Sequence, residues 1–133
     1  MKKTWMTVLV ITTFFVISGC QTQPKKQSEM AQPALTNQQL MTLYSEERKV
    51  RWNTVRGSSG TTIYNPDGTG VVEWGKGDHQ GQWRIVENFV CTRWEGVRDG
   101  AEKCFSFIET APGKYNAYNE DGSFEGDNTI ISQ

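Results

Sequence analysis

The sequence contains one histidine, His79, and no excess of basic residues, and each shortage excludes a class of function. Nucleophilic catalysis by serine or cysteine usually requires a histidine as the base, and zinc sites require several histidine or cysteine ligands. Nucleic-acid binding requires a basic patch, whereas 14 lysines and arginines here face 15 acidic residues. We therefore predict no metal, no cofactor and no nucleic-acid partner.

Catalytic candidates are correspondingly few. His79 lies in GKGDHQGQ, and its simplest interpretation is an exposed loop residue, the alternative being an acid or base oriented by Asp78. Paired carboxylates can hydrolyse glycosides, but a chain with 15 acids offers such pairs by chance. The segment NEDGSFEGDN lacks the spacing of a calcium loop. The sequence thus predicts no catalytic residue.

A long apolar run occurs at the amino terminus. Lys2 and Lys3 precede the run, which extends over 13 residues from 5 to 17 and is too short for a comfortable membrane span. The run ends in Ile17, Ser18, Gly19 and Cys20, which resembles the lipobox of bacterial lipoproteins. The resemblance implies that residues 1–19 are a signal peptide and that Cys20 carries fatty acyl chains. The alternative is an ordinary signal peptide that ends in cysteine.

The same resemblance bears on location. In lipoproteins of bacteria with two membranes, an aspartate after the lipidated cysteine favours the inner membrane, and Gln21 therefore favours the periplasmic face of the outer membrane. Residues 20–35 contain glutamines, prolines and lysines but few core formers, so we predict a lipidated, disordered tether. Residues 36–133 then form a single domain, because 98 residues suffice for one core only.

The domain sequence predicts a short helix followed by many strands. Thr36 is a candidate cap for a helix in which Leu40, Leu43 and Tyr44 share one face. After this helix, turn residues recur every 8 to 12 positions between short runs of β-branched and aromatic residues. We predict an all-β fold, a small antiparallel meander of seven or eight strands in a closed or strongly bent barrel.

The three cysteines divide into one for lipid and two for the domain. Cys91 and Cys104 flank the turn segment EGVRDGAE, and a hairpin that sets them opposite each other also pairs Val90 with Phe105 and Arg93 with Glu102. In an oxidising compartment this pair predicts a structural disulfide worth about 3 kcal/mol. A redox dithiol, or cysteines that stay reduced or pair between molecules, are the alternatives.

Four tryptophans lie within the domain. Most should be core, but an indole beside an arginine can also form a binding surface, with Trp83, Trp94, Arg84 and Arg93 as the candidates. Three features resemble uncharacterised small exported all-β proteins of proteobacteria, namely G-x-W at 81–83, C-x-x-W at 91–94 and Cys104. The G-x-W is also similar to that of lipocalin-like barrels, and the anchored, disulfide-containing barrel resembles periplasmic lysozyme inhibitors in fold class.

Three functional hypotheses follow. The first is a lipid-anchored, non-enzymatic envelope protein that binds another macromolecule, an envelope or secreted protein, as a scaffold, inhibitor or immunity factor. The second is a carrier of a small hydrophobic ligand, which requires an apolar cavity of a few hundred cubic ångströms that Trp and Phe leave unfilled. The third is a hydrolase that uses Asp78 and His79.

Overall fold

The computed structural model describes residues 32–132, so the predicted signal peptide, the lipobox at Cys20 and the tether up to residue 31 lie outside the described residues. One helix and eight strands make up the fold: α1 Asn37–Leu43, β1 Arg48–Thr54, β2 Ser59–Tyr64, β3 Thr69–Trp74, β4 Gly77–Val86, β5 Phe89–Trp94, β6 Lys103–Ala111, β7 Lys114–Asn119 and β8 Phe124–Ser132. Within residues 32–132 no helix is both long and apolar enough to cross a membrane.

The eight strands form a closed antiparallel barrel in simple meander order. Each strand pairs with the next along the chain, and β8 pairs with β1 to close the sheet. Closure removes the exposed edges that an open meander of this length would present. The predicted fold class is therefore confirmed, and the number of strands is eight.

Glycines at positive φ end several of the tight connections. The segments NPDG and NEDG end at Gly68 and Gly122, whose φ angles of 89° and 83° are costly for residues with a Cβ. In both turns the preceding aspartate accepts a hydrogen bond from the backbone N–H two residues on, at Thr69 and Ser123. The turn chemistry predicted from sequence is thus present at both places.

The short helix α1 closes one end of the barrel. Thr36 caps it, since the Thr36 hydroxyl accepts a hydrogen bond from the Gln39 N–H and the Gln39 side chain accepts one from the Thr36 N–H. Leu40 is fully buried, and the ring of Tyr44 packs 5.0 Å from that of Tyr64. At this closed end the helix lies near the turn between β4 and β5, where Asn37 bonds to the backbone of Glu87.

The opposite end of the barrel is open. The four connections there join β1 to β2, β3 to β4, β5 to β6 and β7 to β8, and the third contains a short 3₁₀ turn over Arg98–Gly100. The α-helix α1 lies at the other end, so among the described residues only these connections border this end. A molecule from solution can therefore enter the barrel at this end, whereas α1 covers the other end.

Candidate functional site

A cavity of about 280 Å³ enters the barrel from its open end. It is lined by the rings of Tyr64, Trp94 and Phe107, which belong to the same hydrophobic core cluster as Leu40 and Tyr44. Its lining residues come from seven of the eight strands and from the connections at the open end: Trp52, Asn53, Thr54, Arg56, Ser58, Thr62, Tyr64, Val72, Trp74, Thr92, Trp94, Val97, Arg98, Lys103, Phe105, Phe107, Ala117, Glu125, Gly126 and Asn128.

The cavity exists because small side chains face inward near the open end. Successive residues of a strand point to opposite faces, so one residue in two faces the interior of the barrel. Among the inward positions, Thr62, Thr92, Ala117 and Gly126 are all buried, and each is much smaller than the aromatic residues deeper in the barrel. An eight-stranded barrel is just wide enough to be filled by side chains, so small ones leave room for a ligand.

The inner wall of the cavity is mostly aromatic and neutral. The Trp94 ring lies 6.3 Å from that of Tyr64 in an edge-to-face arrangement, and the Trp52 indole N–H donates a 3.0 Å hydrogen bond to the Thr62 hydroxyl. Burial raises the pKa of the Tyr64 hydroxyl to about 12, so the group stays uncharged at physiological pH. This wall suits the apolar body of an organic molecule.

A buried carboxylate, Glu125, stands near the mouth of the cavity. The register shifts between β7 and β8, pairing Ala117 with Gly126 and Tyr118 with Phe124, so that Glu125 between them has no direct partner in β7. Such a bulge redirects a side chain, and here Glu125 is only 8% exposed and lines the cavity. The irregular register thus places a charged group where regular pairing would not.

Two cations and one amide satisfy this carboxylate. The Arg56 guanidinium lies 2.7 Å and the Lys103 ammonium 3.0 Å from Glu125 Oε1, and the Asn119 amide donates to Oε2 at 3.0 Å. Burial alone would raise the pKa of Glu125, but the hydrogen bonds from Asn119 and Lys103 and the charge of Arg56 outweigh it and lower the pKa. Glu125 is therefore ionised at neutral pH.

The disulfide lies on the outer face of the barrel, away from this cavity. The sulfurs of Cys91 and Cys104 are bonded at 2.03 Å, and the two residues sit directly opposite in the β5–β6 register, as do Val90 and Phe105. The predicted bridge and its register are thus present. Glu102, expected opposite Arg93, instead accepts two hydrogen bonds from the Arg84 guanidinium, at 2.9 and 2.8 Å.

The four residues predicted as a binding surface do not form one surface. Trp94 is 4% exposed and faces the barrel interior, whereas Arg84 and Arg93 lie on the outer face. Trp83 also faces inward, packs 5.2 Å from the Tyr44 ring, and donates its indole N–H to the carbonyl oxygens of Asn65 and Thr69. The alternation of β4 and β5 separates the indoles from the guanidinium groups, which is why spacing alone was misleading.

An open depression on the outside borders Arg84 and Arg93 and also touches Trp83, whose ring faces inward but whose backbone N–H donates to the Gly68 carbonyl of the adjoining β2–β3 turn. Trp83, Arg84 and Arg93 line a space of about 440 Å³, together with the β2–β3 turn and Glu102. The Arg84 guanidinium is engaged by Glu102, and this ion pair lowers the pKa of Glu102 and raises that of Arg84. This outer space is mainly polar and shallow, in contrast to the cavity inside the barrel.

Asp78 and His79, the candidate catalytic pair, point to opposite faces of β4 although they are adjacent in sequence. The turn occupies only the residues up to Lys76, so β4 begins at Gly77 and His79 lies within the strand, opposite Val72, instead of in an exposed loop. Neighbouring strand residues point to opposite faces, so Asp78 does not orient the imidazole. His79 Nδ1 lies 2.9 Å from the backbone oxygen of Glu95 and is half-buried. The loop prediction for His79 was therefore wrong.

Sequence reasoning missed the charged residues at the mouth, namely Arg56, Arg98, Lys103 and Glu125. Arg56 and Arg98 belong to connections between strands, where alternation does not predict the direction of a side chain. The side chain of Glu125 faces inward because of a β-bulge, which the local sequence pattern does not predict. Lys103 offered a signal, because it stands two positions before Phe105 and therefore on the inward face of β6.

Comparisons with protein-family models, curated proteins and solved structures found no match to the chain.

Proposed function

We propose that this protein binds a small organic ligand inside its barrel and does not transform it chemically. The observation that carries the proposal is the cavity of about 280 Å³ that opens at one end of an otherwise closed barrel. Its size is near the lower end for ligand pockets, and its apolar wall with a few polar groups at the mouth is typical of them. The carrier hypothesis is therefore the one that the geometry favours.

The hypothesis of a macromolecular partner stays a prediction. Its candidate surface relied on Trp83 and Trp94, and the indole of Trp94 is buried in the barrel wall. The outer depression beside Arg84 and Arg93 offers polar groups but no large exposed aromatic ring. Hot spots of protein interfaces are often aromatic residues, and the rings of both predicted tryptophans face inward, so the predicted surface offers only its two arginines.

A neutral fluorescent probe tests ligand binding. Phenylnaphthylamine becomes brightly fluorescent in apolar sites, and we expect saturable binding of one probe per barrel when the purified protein is titrated. The Ala117→Leu variant places a larger side chain in the cavity and should weaken binding by about tenfold or more. Asn116→Leu is the matched control, since residue 116 lies on the outer face next in sequence.

Two results would count against the proposal. The first is an absence of saturable binding to the wild-type protein. The second is equal loss of binding in Ala117→Leu and Asn116→Leu, which would place the probe on the outside. Circular dichroism and a urea unfolding curve for each variant establish that the folded state is being compared.

We also propose, from the lipobox at Cys20, that the barrel is held at a membrane. The described chain joins the barrel through Leu35, whose N–H donates to the Phe107 carbonyl, and then through α1 at the closed end. Cys20→Ser should abolish labelling by a fatty-acid analogue and leave an uncleaved precursor, and undiminished labelling would refute the anchor.

A further inference from the structure

The charged groups that line the cavity are not balanced. The lining includes three cations, Arg56, Arg98 and Lys103, and a single carboxylate, Glu125, so it carries a net charge of +2. The whole chain carries a net charge of −1. Positive charge is therefore concentrated at this mouth against the overall sign of the protein.

Glu125 can neutralise only one of its two cationic neighbours. Arg56 and Lys103 both approach the same oxygen, Oε1 of Glu125. The Lys103 side chain is 25% exposed and its ammonium also lies 5.0 Å from the centre of the Phe105 ring. A cation with so little access to water gains from an anion placed beside it, because the local dielectric constant is low.

Arg98 is the third cation, and its situation is the most informative. Among residues 32–132 its guanidinium has no hydrogen bond or ion pair at contact distance, and the carboxylate of Glu125 and the hydroxyl of Tyr64 act on it only through longer-range charge interactions. Arg98 as a whole is exposed to solvent, but the cavity rim removes part of the hydration of its guanidinium and so lowers its pKa, a shift that the carboxylate of Glu125 opposes. A guanidinium with five donors and no partner at the rim of a cavity is equipped to bind an acceptor.

The backbone that carries Arg98 is unusual as well. Arg98 and the next residue, Asp99, both have a φ of 52°, in the left-handed region that residues with a Cβ rarely adopt. The two residues are the central positions of a turn that the Gly100 N–H closes onto the Val97 carbonyl, and a turn with this hand needs positive φ at both positions. The turn places the positively charged side chain of Arg98 at the edge of the cavity.

We propose that the ligand is an amphipathic organic anion, with an apolar body against Tyr64, Trp94 and Phe107 and an acidic group bound by Arg98 together with Lys103. This inference rests on the proposed ligand-binding function and specifies the ligand class. Guanidinium and ammonium groups together favour carboxylate, sulfonate or phosphate oxygens through charge-assisted hydrogen bonds.

The cavity volume also limits the size of the ligand. A space of about 280 Å³ accommodates one ring system or one alkyl chain of medium length. A phospholipid with two long acyl chains does not fit within it. The structure thus favours a small aromatic or fatty acid over an intact membrane lipid.

Two matched pairs of probes separate the acidic group from the apolar body. Anilinonaphthalene sulfonate and phenylnaphthylamine share their ring systems and differ in the sulfonate, and decanoate and decanol share their chain and differ in the carboxylate. We expect the anionic member of each pair to bind the wild-type protein about tenfold more tightly or better, by direct titration or by displacement of phenylnaphthylamine.

The variant Arg98→Gln should remove most of that preference and leave the affinity for phenylnaphthylamine and decanol unchanged. Arg51→Gln is the matched control, because Arg51 is an exposed arginine on the outer face of β1 and its loss changes the net charge equally. The neutral probes also report whether Arg98→Gln still folds with an intact cavity.

The outcomes distinguish the two proposals. If neither member of a pair binds, the proposed function itself fails. If the neutral and anionic members bind equally well, or if Arg51→Gln weakens anion binding as much as Arg98→Gln does, the cavity binds ligands but the inference about an acidic group is wrong. A preference lost in Arg98→Gln alone supports it.

Discussion

Trp94 lies directly opposite Gly81 in the register of β5 and β4, and its indole occupies the space that a side chain at position 81 would need. A Cβ at 81 would come within 2.5 Å of the Trp94 ring and would also meet the backbone oxygen of Arg93. We predict that Gly81→Ala destabilises the protein by about 1–3 kcal/mol and disturbs the cavity wall, as urea unfolding and probe affinity should show.

Gly77→Ala is the control for that substitution. Gly77 belongs to the same strand, has open space around its Cβ position and does not have a positive φ. Its replacement should change the free energy of unfolding by no more than about 0.5 kcal/mol. Equal destabilisation by both alanines would mean that strand glycines matter in general and that the fit of Trp94 against Gly81 does not.

Leu40 tests how much α1, at the closed end, contributes to the stability of the barrel. This side chain is fully buried on the inner face of α1, so Leu40→Ala leaves a cavity and should lower the free energy of unfolding by about 2–5 kcal/mol. The next residue, Met41, is 53% exposed, and Met41→Ala should be nearly neutral in the same urea titration. If both variants unfold at the wild-type midpoint, α1 does not contribute to the stability of the barrel.

The strand order was predictable because local signals repeat along the chain. Turn glycines such as Gly68 and Gly122 mark the connections, and runs of β-branched and aromatic residues such as TTIY mark the strands between them. The helix cap at Thr36 and the bridge between Cys91 and Cys104 follow from equally local chemistry. Nearest-neighbour pairing then leaves little freedom in the topology.

The site was less predictable because it depends on which face each residue adopts across the whole barrel. Trp94 and Arg93 are adjacent in sequence, yet one lines the cavity and the other faces solvent. Glu125 faces inward only because β8 bulges against β7, and Arg98 is held by left-handed backbone in a connection. Closure of the barrel brings these distant positions together, and no single segment of the sequence predicts which positions will meet.

The disulfide should contribute to stability without contributing to ligand binding. Cys91 and Cys104 are 13 residues apart, and closing a loop of that size stabilises by about 3 kcal/mol on the chain-entropy argument. The double variant Cys91→Ser, Cys104→Ser should lose about that much in urea and keep its affinity for phenylnaphthylamine, since the bridge lies on the outer face. Dithiothreitol should lower the midpoint of the wild type and leave that of the double variant unchanged.

Glu125 should make stability depend on pH in the acidic range. Its pKa in the folded protein lies below the ordinary value of 4.5, so the ionised form stabilises the folded state at higher pH. That stability is present above the ordinary pKa and is lost as the pH falls through the lowered one. Glu125→Gln removes the negative charge that Arg56 and Lys103 share and replaces one acceptor oxygen by an amide NH2, which should cost about 1–3 kcal/mol near neutral pH.

The measurement is the difference in free energy of unfolding between the wild type and Glu125→Gln, taken by urea titration at several pH values. Asp67, Asp121 and Glu102 also have lowered pKa values, but both proteins retain them, so their contributions cancel in the difference. We expect the difference to be constant at neutral pH and to shrink as the pH falls below about 4.5. A difference that stays constant into strong acid would show that Glu125 is not held ionised by its cationic neighbours.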